Sequence, residues 1–155
     1  MKIKNIKFIE LDNLELKTFT EQNVLDYCLL NNINPDNIEE LWLSNNELTD
    51  ISGIKLFKNV NILEIDNNKI EDISAVIKNL NNLNYLNMSN NKIVNITILK
   101  DLNKLEYLDI GYLELESNQI EYIKSLKKLK TLYCRKGFKD MSVLNKLNKK
   151  INIKN

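Results

Sequence analysis

The 155 residues carry 22 basic and 21 acidic side chains, a net charge of +1, so no overall field draws the chain to nucleic acid, an acidic substrate or a membrane surface. There is no histidine, which excludes His-based acid–base catalysis, Ser-His and Cys-His nucleophiles and His-ligated zinc. Arg135 is the one arginine, and lysine is the poorer bidentate ligand for phosphates and base edges.

Residues 1–37 read as an atypical first unit of a single domain, 1–155. Ile9-Glu-Leu11, Asp12-Asn13 and Leu14-Glu-Leu16 alternate apolar and charged positions around a turn-prone pair. They fit either a short hairpin or a strand followed by the first repeat strand. Thr18 with Glu21 fits a capping box for a helix over about 20–31, with Val24, Leu25, Cys28 and Leu29 as its apolar face. Pro35 disfavours helix in the residue before it. This helix is expected to cover the open apolar end of a stack of repeats.

Three units then repeat, over 38–59, 60–82 and 83–104. Leu41, Leu43, Asn46, Leu48 and Ile51 return as Leu63, Ile65, Asn68, Ile70 and Ile73, and again as Leu86, Met88, Asn91, Ile93 and Ile96. Each unit opens with a short alternating strand and turns at Asn. It continues through apolar positions about three apart, such as Ile51, Ile54 and Leu56, which suits a 3₁₀ or short α segment. A fourth unit begins at Leu105, with Leu108 and Ile110 in the strand. Its Asn falls late, at Asn118, so Gly111–Ser117 reads as four or five extra residues bulging beside the strand; Leu113-Glu-Leu115 offers a rival register. A fifth begins at Leu129, with Leu132 and Cys134 inward and Gly137 in the Asn position. Leu144, Leu147, Ile151 and Ile153 lead into a truncated strand over 148–155. About five repeats thus span 38–147.

The pattern Leu-x-Leu-x-x-Asn-x-Leu/Ile-x-x-Ile resembles the leucine-rich repeat, in particular the short subclass of sds22-type phosphatase regulators and bacterial internalins. It is carried by Leu41, Leu43, Asn46 and Leu48; by Leu63, Ile65, Asn68 and Ile70; by Leu86, Met88, Asn91 and Ile93; and more weakly by Leu108, Ile110, Asn118 and Ile120. The resemblance implies an α/β fold, a curved right-handed leucine-rich repeat solenoid. A parallel sheet would line its concave face, 3₁₀ and short helices its convex face, with a helical N-terminal cap. The Asn side chains are expected to stack as a ladder that satisfies backbone groups where the chain leaves each strand.

In a strand x-Leu-x-Leu-x the x residues face the concave surface. They are Glu40, Trp42 and Ser44; Ile62, Glu64 and Asp66; Tyr85, Asn87 and Ser89; Tyr107, Asp109 and Gly111; Thr131, Tyr133 and Arg135. The only Trp and three of the six Tyr fall here, and clustered exposed aromatics are the stuff of interface hot spots. Glu40, Glu64, Asp66 and Asp109 make the middle acidic, while Arg135 and Lys136 make one end basic. The expected function is a non-enzymatic interaction module that binds a protein or peptide partner with Lys or Arg near apolar groups. The alternative is that these aromatics merely suit strands and pack across them. The family resemblance adds two further roles, a regulatory subunit of a Ser/Thr phosphatase and an internalin-like adhesion protein.

No catalytic, cofactor or metal site is expected. Carboxylates on an open arc lack the burial that separates an acid from a base, and Gly53, Gly111 and Gly137 form no phosphate-cradling loop. Cys28 and Cys134 lie in different units and are expected to be free, buried and in a reducing compartment. The charges in Met1–Asp12 are too closely spaced for a signal h-region, and no apolar run approaches a membrane span, so a cytoplasmic monomer is expected. Asn87-Met-Ser89 and Asn95-Ile-Thr97 read as chance matches to the glycosylation pattern.

Overall fold

The computed structural model describes residues 4–155. Seven three-residue strands form one parallel sheet in chain order: β1 (Phe8–Glu10), β2 (Glu40–Trp42), β3 (Ile62–Glu64), β4 (Tyr85–Asn87), β5 (Tyr107–Asp109), β6 (Thr131–Tyr133) and β7 (Asn152–Lys154). The central residues Ile9, Leu41, Leu63, Leu86, Leu108, Leu132 and Ile153 are aligned in register. All but Ile153 are buried. Each such side chain contributes about 1.5–3 kcal/mol of hydrophobic stabilisation. The return segments are α1 (Glu21–Asn31), α2 (Ser74–Ile77), α3 (Ile120–Lys124) and 3₁₀ turns at Ser52–Leu56, Thr97–Asp101 and Met141–Lys146. They form the convex layer, and the core lies between them and the sheet.

The strands are short because the chain turns soon after each one. Asn45, Asn67 and Asn90 take positive φ of 55°, 53° and 50°, a left-handed conformation that Asn tolerates better than most residues. The next residue in each unit is the ladder Asn. Asn68 Oδ1 accepts from the Leu48 N–H at 3.0 Å, and its Nδ2 lies 2.9–3.1 Å from the Leu43, Ile65 and Asp66 carbonyls. Asn91 repeats this one unit on, accepting from Ile70 and donating to Ile65, Met88 and Ser89. Asn46 does the same one unit earlier, accepting from the Leu14 and Leu16 amides, both at 3.0 Å, and donating to the Leu11, Leu43 and Ser44 carbonyls.

The bonds from Leu14 and Leu16 overturn both readings of residues 9–16, since the segment 14–16 forms no strand of any kind. Leu14-Glu-Leu16 is not the second arm of a hairpin; β1 pairs in parallel with β2, and the first unit is a full turn of the solenoid. The expected capping box is corrected. Thr20 caps α1, accepting from the Asn23 N–H at 3.2 Å, while the Thr20 N–H donates to Asn23 Oδ1 at 2.9 Å. Thr18 and Phe19 are held extended by the next unit, where the Phe19 N–H donates to the Asp50 carbonyl at 2.7 Å, so the cap lies two residues later while the helix itself falls where expected. Its apolar face is also narrower. Val24 and Cys28 are buried, whereas Leu25 and Leu29 face solvent. The helix docks on Ser52–Leu56 through a single stripe, against Gly53.

The insertion expected at Gly111–Ser117 is absent. Leu108 and Ile110 do form the strand, but Leu113 sits where the other units have Asn46, Asn68 and Asn91, and it is buried. Asn118 is exposed and belongs to no ladder. The extra length of this unit lies in its convex layer, where a 3₁₀ turn at Ser117–Gln119 runs into α3. Cys28 and Cys134 are free and buried.

Candidate concave interface

Cross-strand register sorts the outward side chains into two rows. One runs Phe8, Glu40, Ile62, Tyr85, Tyr107, Thr131 and Asn152; the other runs Glu10, Trp42, Glu64, Asn87, Asp109, Tyr133 and Lys154. Asp12, Ser44, Asp66, Ser89, Gly111 and Arg135 come just beyond the strands. Every residue assigned to this face from the sequence lies on it. Trp42 and Arg135 are four strands apart, about 19 Å at the usual strand spacing.

The aromatics form two groups. Tyr85 and Tyr107 stack across β4 and β5 with ring centroids 4.0 Å apart and planes at 6°, and Tyr133 tilts against Tyr107 at 5.4 Å. Trp42 pairs with Phe8 at 6.1 Å. The two inner tyrosines therefore satisfy each other in part, as strand aromatics do. Tyr133 and Phe8 remain exposed.

The acidic residues are not equivalent. Asp66 accepts from Ser44 Oγ, Asn67 Nδ2 and Asn87 Nδ2, the last at 3.0 Å, so its carboxylate is tied into the face. Asn87 is tied as well, since its Oδ1 accepts from both the N–H and the Oγ of Ser89. Burial holds the Glu64 carboxyl above the usual carboxylate range, and the neighbouring charges of Asp66 and Asp12 add to this. Burial also raises Asp109, against the Gly111 N–H that its Oδ1 accepts at 2.8 Å. Burial raises Asp12 too, with Glu10 and Asp66 contributing. Desolvation raises the Tyr85 and Tyr107 hydroxyls, which stay protonated donors. Burial and, to a lesser degree, mutual repulsion thus disfavour the charged forms of these carboxylates, which a cation placed among them would favour. Among the described residues no three carboxylates or thiols converge to hold a metal ion.

At the C-terminal end, Asp109, Tyr112, Tyr133 and Arg135 line a cleft of about 310 Å³ that also touches Ser89 and Lys154. Tyr112 was not among the sequence candidates. It occupies the left-handed position that Asn45, Asn67 and Asn90 fill elsewhere, with φ 59°, an uncommon conformation for an aromatic residue. The Arg135 guanidinium carbon lies 5.8 Å from its ring centroid. The signal was present: Leu113 in the Asn position makes Tyr112 the equivalent of Asn90. Phe8, Glu10 and Asp12 escape a sequence reading because the first unit departs from the repeat pattern that marks the other strands.

A family model described as leucine-rich repeats in two copies matches residues 36–80. No curated protein matches the sequence. Among solved structures, the chain is similar to an internalin (inlF) of Listeria monocytogenes, 31% identical with a TM-score of 0.68, over 76% of this chain and 34% of that one. It is also similar to a leucine-rich repeat protein of Leptospira interrogans, 23% identical with a TM-score of 0.71, over 97% of this chain and 37% of that one. A third likeness is to internalin C2 of Listeria monocytogenes, 23% identical with a TM-score of 0.60, over 97% of this chain and 74% of that one. The chain spans about a third of the length of the first two. The register of the sheet, the asparagine ladder and these likenesses agree: the chain is a leucine-rich repeat protein.

Proposed function

We propose that the protein is a non-enzymatic interaction module whose concave face binds a protein or peptide carrying Lys or Arg beside apolar groups. The observation that supports this best is the pairing of an aromatic strip with carboxylates whose pKa values are raised by burial and, to a lesser degree, by one another's charge. Glu64, Asp66, Asp109 and Asp12 gather on one surface, and a cationic partner would offset the cost of holding their charges there. Glu40, Trp42, Ile62, Glu64, Tyr85, Tyr107, Asp109, Tyr133 and Arg135 are the contact residues in this reading. Asp66 and Asn87 hold that surface together. The test is a pull-down from extract of the native cells with the wild type and the Trp42→Ala/Tyr85→Ala/Tyr107→Ala variant. The variant, folded by circular dichroism, is expected to lose the partner; retention of every partner would refute the proposal.

A second reading, an internalin-like adhesion protein, draws on the 31% identity to the Listeria internalin across 76% of this chain. It predicts the protein at the surface of its cells, which immunolabelling of intact cells checks.

A further inference from the structure

The net charge of +1 hides an uneven distribution. Residues 124–155 carry eleven basic side chains and one acidic, Asp140, whereas residues 1–123 carry eleven basic and twenty acidic. Stacking of the last two units concentrates the excess further. The turn before β6 brings Lys124, Lys127, Lys128 and Lys130, and the turn before β7 brings Lys146 and Lys150, to one groove of about 990 Å³. Leu126, Leu129, Leu147 and Ile151 form its floor. It lies on the rim where the chain enters the strands, away from the concave side chains. Glu106 also lines it but already pairs with Lys130 at 2.6 Å, and Lys124 pairs with Glu121 at 2.8 Å. Lys127, Lys128, Lys146 and Lys150 form no ion pair among the described residues; the nearby Asp140 carboxylate, lowered mainly by its hydrogen bonds from Ser142, feels Lys146 only weakly.

We propose that this groove docks an acidic segment of a partner protein, an extended peptide with several Asp or Glu side chains and apolar side chains between them. Four ammonium groups without partners around a recessed leucine floor complement that chemistry in charge and in polarity. Nucleic acid fits less well. No arginine lines the groove to read bases in a bidentate manner, and no aromatic side chain lines it to stack on them. A lipid surface fits less well too. Leu126, Leu129 and Leu147 are buried in the floor, so they do not project to enter an acyl layer. This surface is separate from the concave face and opposite in charge, so it stands whether or not that face binds a cationic partner.

Fluorescence anisotropy of a labelled peptide of alternating Glu and Leu, titrated with the full chain, tests the proposal. Lys127→Glu/Lys128→Glu/Lys146→Glu/Lys150→Glu is expected to weaken binding about tenfold or more. The same four charge reversals placed at Lys58, Lys78, Lys92 and Lys100 are expected to leave it within about twofold. If circular dichroism shows the groove variant unfolded, the four Lys→Gln changes replace it and the same loss is required. The proposal is overturned by failure of the wild type to bind the peptide, or by equal loss in both variants. It is also overturned if a single-stranded oligonucleotide or anionic phosphatidylserine vesicles bind the groove more tightly than the peptide.

Discussion

Asn68 shows how much one side chain does in this chain. It serves the Leu48 N–H and three carbonyls in two successive units while almost fully buried. Asn68→Ala leaves the buried Leu48 N–H without its partner and takes one donor from each carbonyl, while Asn46, Asn91 and the Asn45 N–H still serve Leu43, Ile65 and Asp66. It is expected to cost about 1–3 kcal/mol in urea unfolding, and a change near zero would contradict the ladder's role. Glu64 and Asp109 act in the opposite direction. Their folded pKa values are raised, so the stability they contribute is present where they are protonated and is lost as pH rises through the raised values. Glu64→Gln/Asp109→Asn is therefore expected to unfold at a higher temperature than the wild type near pH 7. The gap should close as pH falls below the ordinary carboxylate range. A lower midpoint at neutral pH would show that these carboxylates are not under strain. The repeating Leu, Ile and Asn were legible because a fixed period exposes them. Tyr112 was not, because its place depends on knowing that Leu113 stands in for Asn, and an apolar residue there breaks the pattern used to find the register.

At the scale of elements, α1 shows where local sequence rules stop. Thr18 and Glu21 satisfy the spacing of a capping box, but Phe19 is claimed by Asp50, far along the chain, and the cap moves to Thr20. The three-apart apolar positions identified the convex segments correctly, since such a segment needs only its own spacing. The docking of α1 depends on Gly53, where a Cβ would lie 2.5 Å from the Thr20 carbonyl oxygen and 2.6 Å from Val24 Cγ2. The Gly53 N–H also donates to the Phe19 carbonyl at 2.8 Å, so the backbone there has little room to retreat. Gly53→Ala is expected to cost about 1–3 kcal/mol by overpacking, read as a drop in the urea midpoint. An unchanged midpoint would show that the first unit is loosely held.

Across the whole molecule, stacking turns a chain of nearly zero net charge into two surfaces of opposite character. The concave face gathers carboxylates and aromatics, and the strand-entry rim of the last two units gathers lysines. Neither surface comes from the repeat consensus, which specifies only what stacks; both are made from the residues that vary between units. The lysine groove is hidden in the sequence because its two halves are about twenty residues apart and meet only through the period. The claim that the concave face receives the partner has a built-in reporter, since Trp42 is the only tryptophan and lies on that face. With partner at saturation, quenching of Trp42 fluorescence by acrylamide should fall and its emission should shift. Quenching and emission identical to those of the free protein would place the partner elsewhere.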